Sequence, residues 1–473
     1  MDPLTLTQAS AHIASGEVSP VELVETAVAR IEQHEGQIAA FSARTVDSAL
    51  SEARRAADRI ARGDVLSPLH GIPIAVKTLI DRAGAESTSS SAVRKGRIPD
   101  TDATVVSRLK EAGAILVGQT HTHEFAYGVL TPTTRNPWNT DYVPGGSSGG
   151  SGAAVAAGMA LGAIGTDTGG SVRIPSSVCG ITGIKPTFGL VPRTGVMQLS
   201  SSLDHVGPMA RTVSDNALLL QQIAGYDRGD TASGDPRIPD YRSALTDDVD
   251  ETVIGVPSNF FFDHIDAEVE SSFRDAIDLL EQAGARVREV EIPYADQYVG
   301  VEFAILASEA SEIHRDAIRR VPELYTEDVR QLLEAGEFIL ATDYIKALKA
   351  RTMIRDAWQD MFDGLDVVIA PTLPMPAVRA GQMEYRFADG TVDSPINAYV
   401  RASAPGNVTG LPAMSVPCGF STTGLPIGMQ IFGRPFDEPT VFRVGHAYEA
   451  RTDFTLTSPG RDNRIARFRG HLI

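Results

Sequence analysis

Apolar positions along this chain follow two spacings, one helical and one extended, and the switches between them mark out the elements. Near the start, Ser19, Pro20 and Glu22 form an N-cap, a first-turn proline and a capping-box glutamate. They predict a helix running to about Gln33, with Gly36 beyond it. A second helix is predicted over 46–62, stopped near Gly63. Both are amphipathic, so residues 1–65 read as a helical layer packed on a sheet edge. From residue 70 short apolar runs and helical stretches alternate. Strand 72–76 is followed by helix 104–112, a stop at Gly113 and strand 114–117. The same device recurs as helix 269–283, Gly284 and strand 286–290. Two more buried strands are predicted over 253–256 and 367–370. Runs 414–416 and 427–432 flank Gly424 and read as a hairpin. Residues 301–362 read as mostly helical, and 371–406, rich in Pro, Gly and Asp, as a long irregular stretch that shapes a pocket.

Helix–strand alternation with a late hairpin predicts an α/β fold, a central mixed β-sheet with helices on both faces. No break in composition divides the chain, so 1–473 reads as one domain. Its parts are the helical layer 1–65, a catalytic core 66–225, a helical insertion at about 300–365 and a sheet-completing part 366–473.

Composition narrows the function. The chain has 473 residues, 42% of them hydrophobic, enough for a sizeable core. Its net charge of −18 is spread along the sequence and opposes binding to nucleic acid or anionic membrane. The two cysteines, Cys179 and Cys418, make neither a disulfide framework nor a metal spacing. No metal or cofactor is expected. The opening MDPLTLTQAS lacks a basic region followed by an apolar core, so no leader is expected and a cytoplasmic location is the default. No run approaches the ~18–20 apolar residues of a membrane span.

The chemistry concentrates in residues 145–175. Two glycine-rich turns each place a serine after a Gly-Gly pair, Ser147 and Ser171. Glycine lets the backbone approach a bound group and point amides at it. A flexible linker does not fit, because apolar runs 153–157 and 160–164 lie between the turns. A P-loop lacks its Gly-Lys-Ser/Thr. A nucleophile elbow at 145–149 lacks the strand that should lead into it. A serine nucleophile needs a base. His121, His123 and His205 lie in the right region without a distinguishing context. Lys77 ends an apolar strand, where desolvation lowers an amine's pKa. Lys185 is a rival, but stands before a proline and reads as a turn brace. A relay follows: Lys77 takes a proton from Ser147, Ser147 from Ser171, and Ser171 attacks a carbonyl. The amides of Thr168, Gly169, Gly170 and Ser171 would face the oxyanion. Phe125 and Tyr127 before the first turn, and Met197, Gln198 and Leu199 after the second, are candidates for an acyl pocket suited to an aromatic or bulky group.

These stretches resemble the amidase signature family. The resemblance is carried by GIPIAVK (71–77), PGGSSGGS (144–151), GTDTGGSVRIP (165–175), CGITGIKPTFG (179–189) and SLDHVGP (202–208). It continues in NVTGLPAMSVP (407–417) and GLPIGMQ (424–430). The resemblance implies one α/β domain around a mixed sheet. It implies Lys77 as base, Ser171 as nucleophile and Ser147 as the bridging serine after a cis peptide. It makes Asp167 and Arg173 a charge pair supporting the nucleophile turn. One departure is Thr78, where many members have Asp. The leading expectation is a stand-alone hydrolase of small aryl or aliphatic amides; carbamates, hydrazides and esters follow the same acyl-enzyme route. Alternatives are the catalytic component of a tRNA-dependent amidotransferase, a carbamate-cleaving urethanase-type member, or a non-enzymatic binding module. Ile174 follows the hydrolases, since the amidotransferase members usually have Gln there. The expected partner is a small-molecule substrate, not nucleic acid or membrane, and a homodimer is left open.

Overall fold

In the computed structural model, residues 4–454 and 457–460 are described; the last part of the predicted stretch 366–473 and the first three residues of 1–65 lie outside them. Thirteen strands occur among the described residues. They are β1 (Phe41–Arg44), β2 (Pro73–Lys77), β3 (Ile115–Thr120), β4 (Gly162–Asp167), β5 (Thr182–Lys185), β6 (His205–Ala210) and β7 (Val253–Pro257). The rest are β8 (Arg286–Val290), β9 (Val367–Pro371), β10 (Tyr385–Arg386), β11 (Val392–Asp393), β12 (Ala413–Phe420) and β13 (Pro426–Phe432). The helices are α1 (Leu6–Ser15), α2 (Pro20–Ile38), α3 (Val46–Ala61), α4 (Thr104–Glu111), α5 (Gly149–Ala156), α6 (Arg173–Cys179) and α7 (Val213–Ile223). They continue as α8 (Ala267–Gln282), α9 (Tyr298–Arg320), α10 (Glu327–Gly336), α11 (Ala341–Met361), α12 (Pro395–Thr409) and α13 (Glu438–Glu449).

Eleven strands form one mixed sheet in the order β1-β3-β2-β4-β6-β5-β12-β13-β9-β7-β8. The pairs β3/β2, β2/β4, β9/β7 and β7/β8 are parallel. The remaining neighbours, from β4/β6 through β13/β9, are antiparallel. Side-chain alternation gives the sheet two buried faces. On β2, Ile74 and Val76 join a core with α1, α4 and α7, while Ala75 joins a second core with α2, α3, α5 and α6. By the same period, Lys77 shares the face of Ala75, toward α5 and α6. The chain is thus a single α/β domain with helices on both faces, as expected.

Three local expectations need correction. The helix from Ser19 does not stop at about Gln33 ahead of Gly36. It runs to Ile38, and Ala39 takes the left-handed cap at φ 51°. The Glu35 carboxylate accepts from the amides of Ala40 and Phe41, at 3.0 and 2.9 Å, and so turns the chain into β1. That strand lies inside the supposedly all-helical layer and pairs with β3 at the sheet edge. Last, 371–406 is not irregular throughout: α12 begins there, with Ser394 as N-cap and Pro395 in its first turn, and it carries Pro405 within it.

The helical insertion is bolted to the sheet by a third core. Trp358 of α11 is fully buried, stacks near Phe432 of β13 with ring centroids 5.4 Å apart, and donates from Nε1 to Tyr298 Oη of α9 at 2.7 Å. Trp358→Ala should cost about 3–5 kcal/mol, read as a lower urea midpoint. A loss under about 1 kcal/mol would mean that this core does not anchor the insertion.

Candidate active site

The two serine turns meet because strand ends and helix starts converge. Ser171 sits between β4 and α6, a strand–turn–helix, while Ser147 lies between a loop and α5. Helix α5 is built of Gly, Ser, Ala and Val and is buried along its whole length. Its residues are small because backbone comes close: a methyl on Gly150 would lie 2.6 Å from the carbonyl oxygen of His121. Ser148 fastens α5 to β4. Its hydroxyl donates to Thr166 O at 3.1 Å and accepts from Thr166 N at 3.2 Å. Its amide donates to Ser171 O at 3.2 Å, which ties one turn to the other. The Gly146–Ser147 peptide is cis.

Beneath Ser147 lies Lys77. Its Nζ is 2.8 Å from Ser147 Oγ and 2.9 Å from Thr166 Oγ1, and the side chain is fully buried. Burial drives the ammonium down to about 7; the carboxylates of Asp167 and Asp204 pull the other way and do not compensate. Ser171 faces a cavity of about 190 Å³.

The turn around Ser171 is shaped by Asp167 and Arg173, both with no exposed side-chain surface. Arg173 grips the carboxylate with two donors at 3.1 Å each, Nε to Oδ2 and Nη2 to Oδ1. Nη1 also reaches Ser403 O and Gln430 Oε1 at 3.0 Å, and Nη2 reaches Asn407 Oδ1 at 2.6 Å. Burial raises the Asp167 carboxyl, but the charge and hydrogen bonds of Arg173, with help from Lys185 and Asn407, hold it well below the usual carboxylate range. Asp167 also accepts from the amides of Gly170, Val172 and Arg173 at 2.8, 3.1 and 3.4 Å, and so caps α6. This corrects the four-amide expectation. The Gly170 amide is occupied, while those of Thr168, Gly169 and Ser171 make no hydrogen bond among the described residues. Gly170 itself is held at φ +106°, and a methyl there would collide with Ser403 Oγ.

The rival base is a brace. Lys185 Nζ is spent on Leu411 O at 2.5 Å and Pro186 O at 3.2 Å, beside His205 Nε2 at 3.3 Å. Burial and the nearby Arg173 charge push its pKa far down. His205 Nδ1 reaches Leu203 O, and His123 Nε2 meets Asp328 of α10 at 2.9 Å. Thr78, the departure from the family pattern, is buried and its hydroxyl has no partner among the described residues.

Of the expected pocket residues, Tyr127 lines the Ser171 cavity and three do not. Phe125 has φ 50°, which turns its ring away to pack on His314 and Tyr325 at 4.4 and 5.5 Å. Met197 and Gln198 line a separate small void beside Asp204, and only Leu199 beyond them also reaches the cavity. The walls come instead from Val299, Glu302, Phe303 and Leu306 of α9, Leu332 of α10, and Val400 of α12. Among the described residues no cluster of three or more His, Cys, Asp or Glu stands ready for a metal, and no helix is long and apolar enough to cross a membrane.

An α/β domain with a buried amine under one serine, and a second serine in a neighbouring turn, matches known proteins over nearly all of its length. The family model described as Amidase matches residues 22–442. A protein named Amidase from Pseudomonas putida is 48% identical, covering 96% of this chain and 97% of that one. The A component of the Glutamyl-tRNA(Gln) amidotransferase from Roseiflexus sp. (strain RS-1) is 42% identical, covering 96% and 98%. The crystal structure of a bacterial aryl acylamidase of the amidase signature family superposes with a TM-score of 0.88 at 27% identity, covering 97% of this chain and 99% of that one. The chain belongs to the amidase family.

The lysine environment predicts a stability effect. Lys77 titrates at about 7 when folded, against ~10.4 in an unfolded chain. Between those values the unfolded state binds the extra proton, so stability rises with pH across that window. Lys77→Met should therefore raise Tm at pH 7 and flatten the dependence between pH 7 and 10, as checked by calorimetry. A lower Tm would mean that the amine is not desolvated.

Proposed function

We propose that the protein hydrolyses small amides by way of an acyl-enzyme on Ser171, with Ser147 and Lys77 moving the protons. The observation that carries this reading is the lysine: fully buried, 2.8 Å from the Ser147 hydroxyl, and brought by burial to about 7. An amine in that state is a competent base near neutral pH. It keeps Thr166 as hydrogen-bond acceptor while its lone pair takes the Ser147 proton.

In this scheme Ser147 passes its proton to Lys77 and accepts the proton of Ser171. Ser171 Oγ bonds to the carbonyl carbon, and the C=O electron pair moves onto oxygen. The amides of Thr168, Gly169 and Ser171 are the donors available to that oxyanion; losing one such donor in other hydrolases costs about 3–4 kcal/mol. The tetrahedral centre then breaks its C–N bond, Ser147 gives a proton to the departing nitrogen, and Lys77 returns the proton it took to Ser147. Water repeats the sequence on the acyl-serine and releases the acid. The scheme uses no metal or cofactor, and its partner is a small molecule. The side chains that α9, α10 and α12 bring to the cavity, apolar except for Glu302 and Asn397, favour a bulky acyl group over a short one.

A second reading, the glutaminase component of a tRNA-dependent amidotransferase, is favoured by the 42% identity to such a protein over 96% of the chain. Against it stand Ile174, buried in the first turn of α6 where those proteins usually have Gln, and the net charge of −18.

The deciding experiment is an assay of the pure protein on aryl and aliphatic amides without ATP or tRNA. Turnover should rise with pH through about 7, as the amine of Lys77 loses its proton. Ser171→Ala should lower kcat at least 1,000-fold (on the order seen for triad members), and a fluorophosphonate adduct should map to Ser171. An adduct on Ser147 would overturn the assignment, and glutamine consumption only with partner proteins would favour the second reading. Ser147→Ala should depress amide turnover at least tenfold more than turnover of a nitrophenyl ester, whose leaving group needs no proton. Equal losses on both substrates would remove Ser147 from the relay.

A further inference from the structure

The cavity in front of Ser171 has one feature that amide hydrolysis as such does not use. Glu302, on the face of α9 turned into the cavity, is 2% exposed, and neither carboxyl oxygen has a hydrogen-bond partner among the described residues. A carboxyl buried that way is costly unless a ligand supplies its donors. The hydroxyl of Tyr127, lining the same cavity, also has no partner among them. Of the other lining side chains from α9, α10 and α12, Val299, Phe303, Leu306, Leu332, Ile396 and Val400 offer no polar atoms, and Asn397 of α12 brings an uncharged amide that cannot neutralise a carboxylate.

Position makes the carboxyl informative. Glu302 Oε1 lies against the backbone of Gly169, so close that a methyl on that glycine would collide with it. Gly169 belongs to the turn whose amides are offered to the substrate oxygen. A carbonyl held in that turn therefore brings its first one or two carbons beside Glu302. Two charges stand near the carboxyl, Arg173 and Asp167, and they are paired with each other. No lysine or arginine lines the cavity wall among the described residues to neutralise Glu302.

Resting on the hydrolase reading above, we propose that Glu302 is the specificity anchor of this site, and that the preferred substrates are amides whose acyl group carries a basic amino group one or two carbons from the scissile carbonyl. An ammonium group brings several donors to two empty oxygens and cancels the carboxylate charge, whereas an all-carbon acyl chain leaves both oxygens unsatisfied. Burial raises the Glu302 carboxyl to about 8, with Asp167 adding to the effect and Arg173 opposing it. An ammonium bound alongside draws the group into its ionised form and converts an unsatisfied acid into an ion pair. The apolar remainder of the cavity takes the side chain of such a substrate.

The test uses binding, so that it does not depend on turnover. Phenylalaninamide and 3-phenylpropanamide differ only in the amino group. On full-length Ser171→Ala protein, calorimetry should give at least tenfold tighter binding for phenylalaninamide. Adding Glu302→Gln should reduce that ratio to below threefold while leaving the affinity for 3-phenylpropanamide within threefold. Glu302→Leu, which removes the unsatisfied carboxyl altogether, should also lose the preference and should not lower Tm. Equal affinities in the parent protein, a preference that survives both Glu302 variants, or no binding of either amide would overturn the proposal. Fluorophosphonate labelling of the wild-type protein separates the two readings. Labelling at Ser171 without amine selectivity sinks the anchor alone; selectivity without labelling sinks the hydrolase reading and leaves Glu302 as a binding residue.

Discussion

The site is organised around one buried ion pair. Asp167 ends β4, Arg173 begins α6, and the turn that carries Ser171 is the five-residue span between them. Neither side chain is exposed, so the pair is neither screened by solvent nor rescued by it. Removing one member of such a pair costs about 3–5 kcal/mol, because the other is left charged and unsatisfied. Here the remaining valences are also filled. Arg173 reaches Ser403 and Asn407 of α12 and Gln430 of β13, and Gln430 in turn donates to Pro371 O and Ala402 O. Segments more than 200 residues away along the chain are thereby locked to the turn. The same carboxylate caps α6 and takes up the Gly170 amide, which decides which amides remain for a ligand.

Burial sets the electrostatics of Lys77, and the carboxylate of that pair opposes it. A carboxylate near a buried amine ordinarily keeps it protonated. Asp167 is close enough to raise the Lys77 pKa, yet desolvation prevails and the amine settles near 7. The outcome is intelligible because Asp167 is already engaged by a guanidinium, which cannot release its own proton. The fold therefore sets two buried basic side chains around the Ser171 turn in different states: an arginine that stays charged and holds shape, and a lysine that burial brings to about 7.

How much of this is legible in the sequence depends on the range of each interaction. Short-range patterns read well. The strand ending in Lys77, the Gly-Gly-Ser turns and the helix–Gly–strand repeats are each local, and their spacing is visible in the sequence. Helix α12 is hidden because Pro405 and the glycines around 371–406 suggest a loop, although Ser394-Pro395 repeats the Ser19-Pro20 start that marks α2. Nearness to Ser147 along the chain suggests a pocket role for Phe125; a positive φ, which no residue pattern there announces, sends its ring elsewhere. Glu302 is invisible for a different reason. On α9 it is one glutamate among several, like Glu312, and only the docking of the helix over the turn separates a buried carboxyl from a solvated one.

The division between legible and hidden parts follows the division of labour in the molecule. Lys77 and the two serine turns sit at strand ends and helix starts, where local sequence sets geometry. The cavity in front of Ser171 is walled by α9, α10 and α12, which reach it through tertiary contacts alone. Those contacts are themselves specific. Thr326, before α10, donates to Glu124 through its amide and hydroxyl at 2.8 and 2.6 Å, and Glu309 of α9 accepts from Tyr344 of α11 and from Ser202 ahead of β6. A change in any of these helices can reshape the cavity without touching Lys77, Ser147 or Ser171. On the reading proposed above, one scaffold would keep its proton chemistry while residues such as Glu302, for whose carboxyl the described residues provide no partner, set the acyl group it accepts.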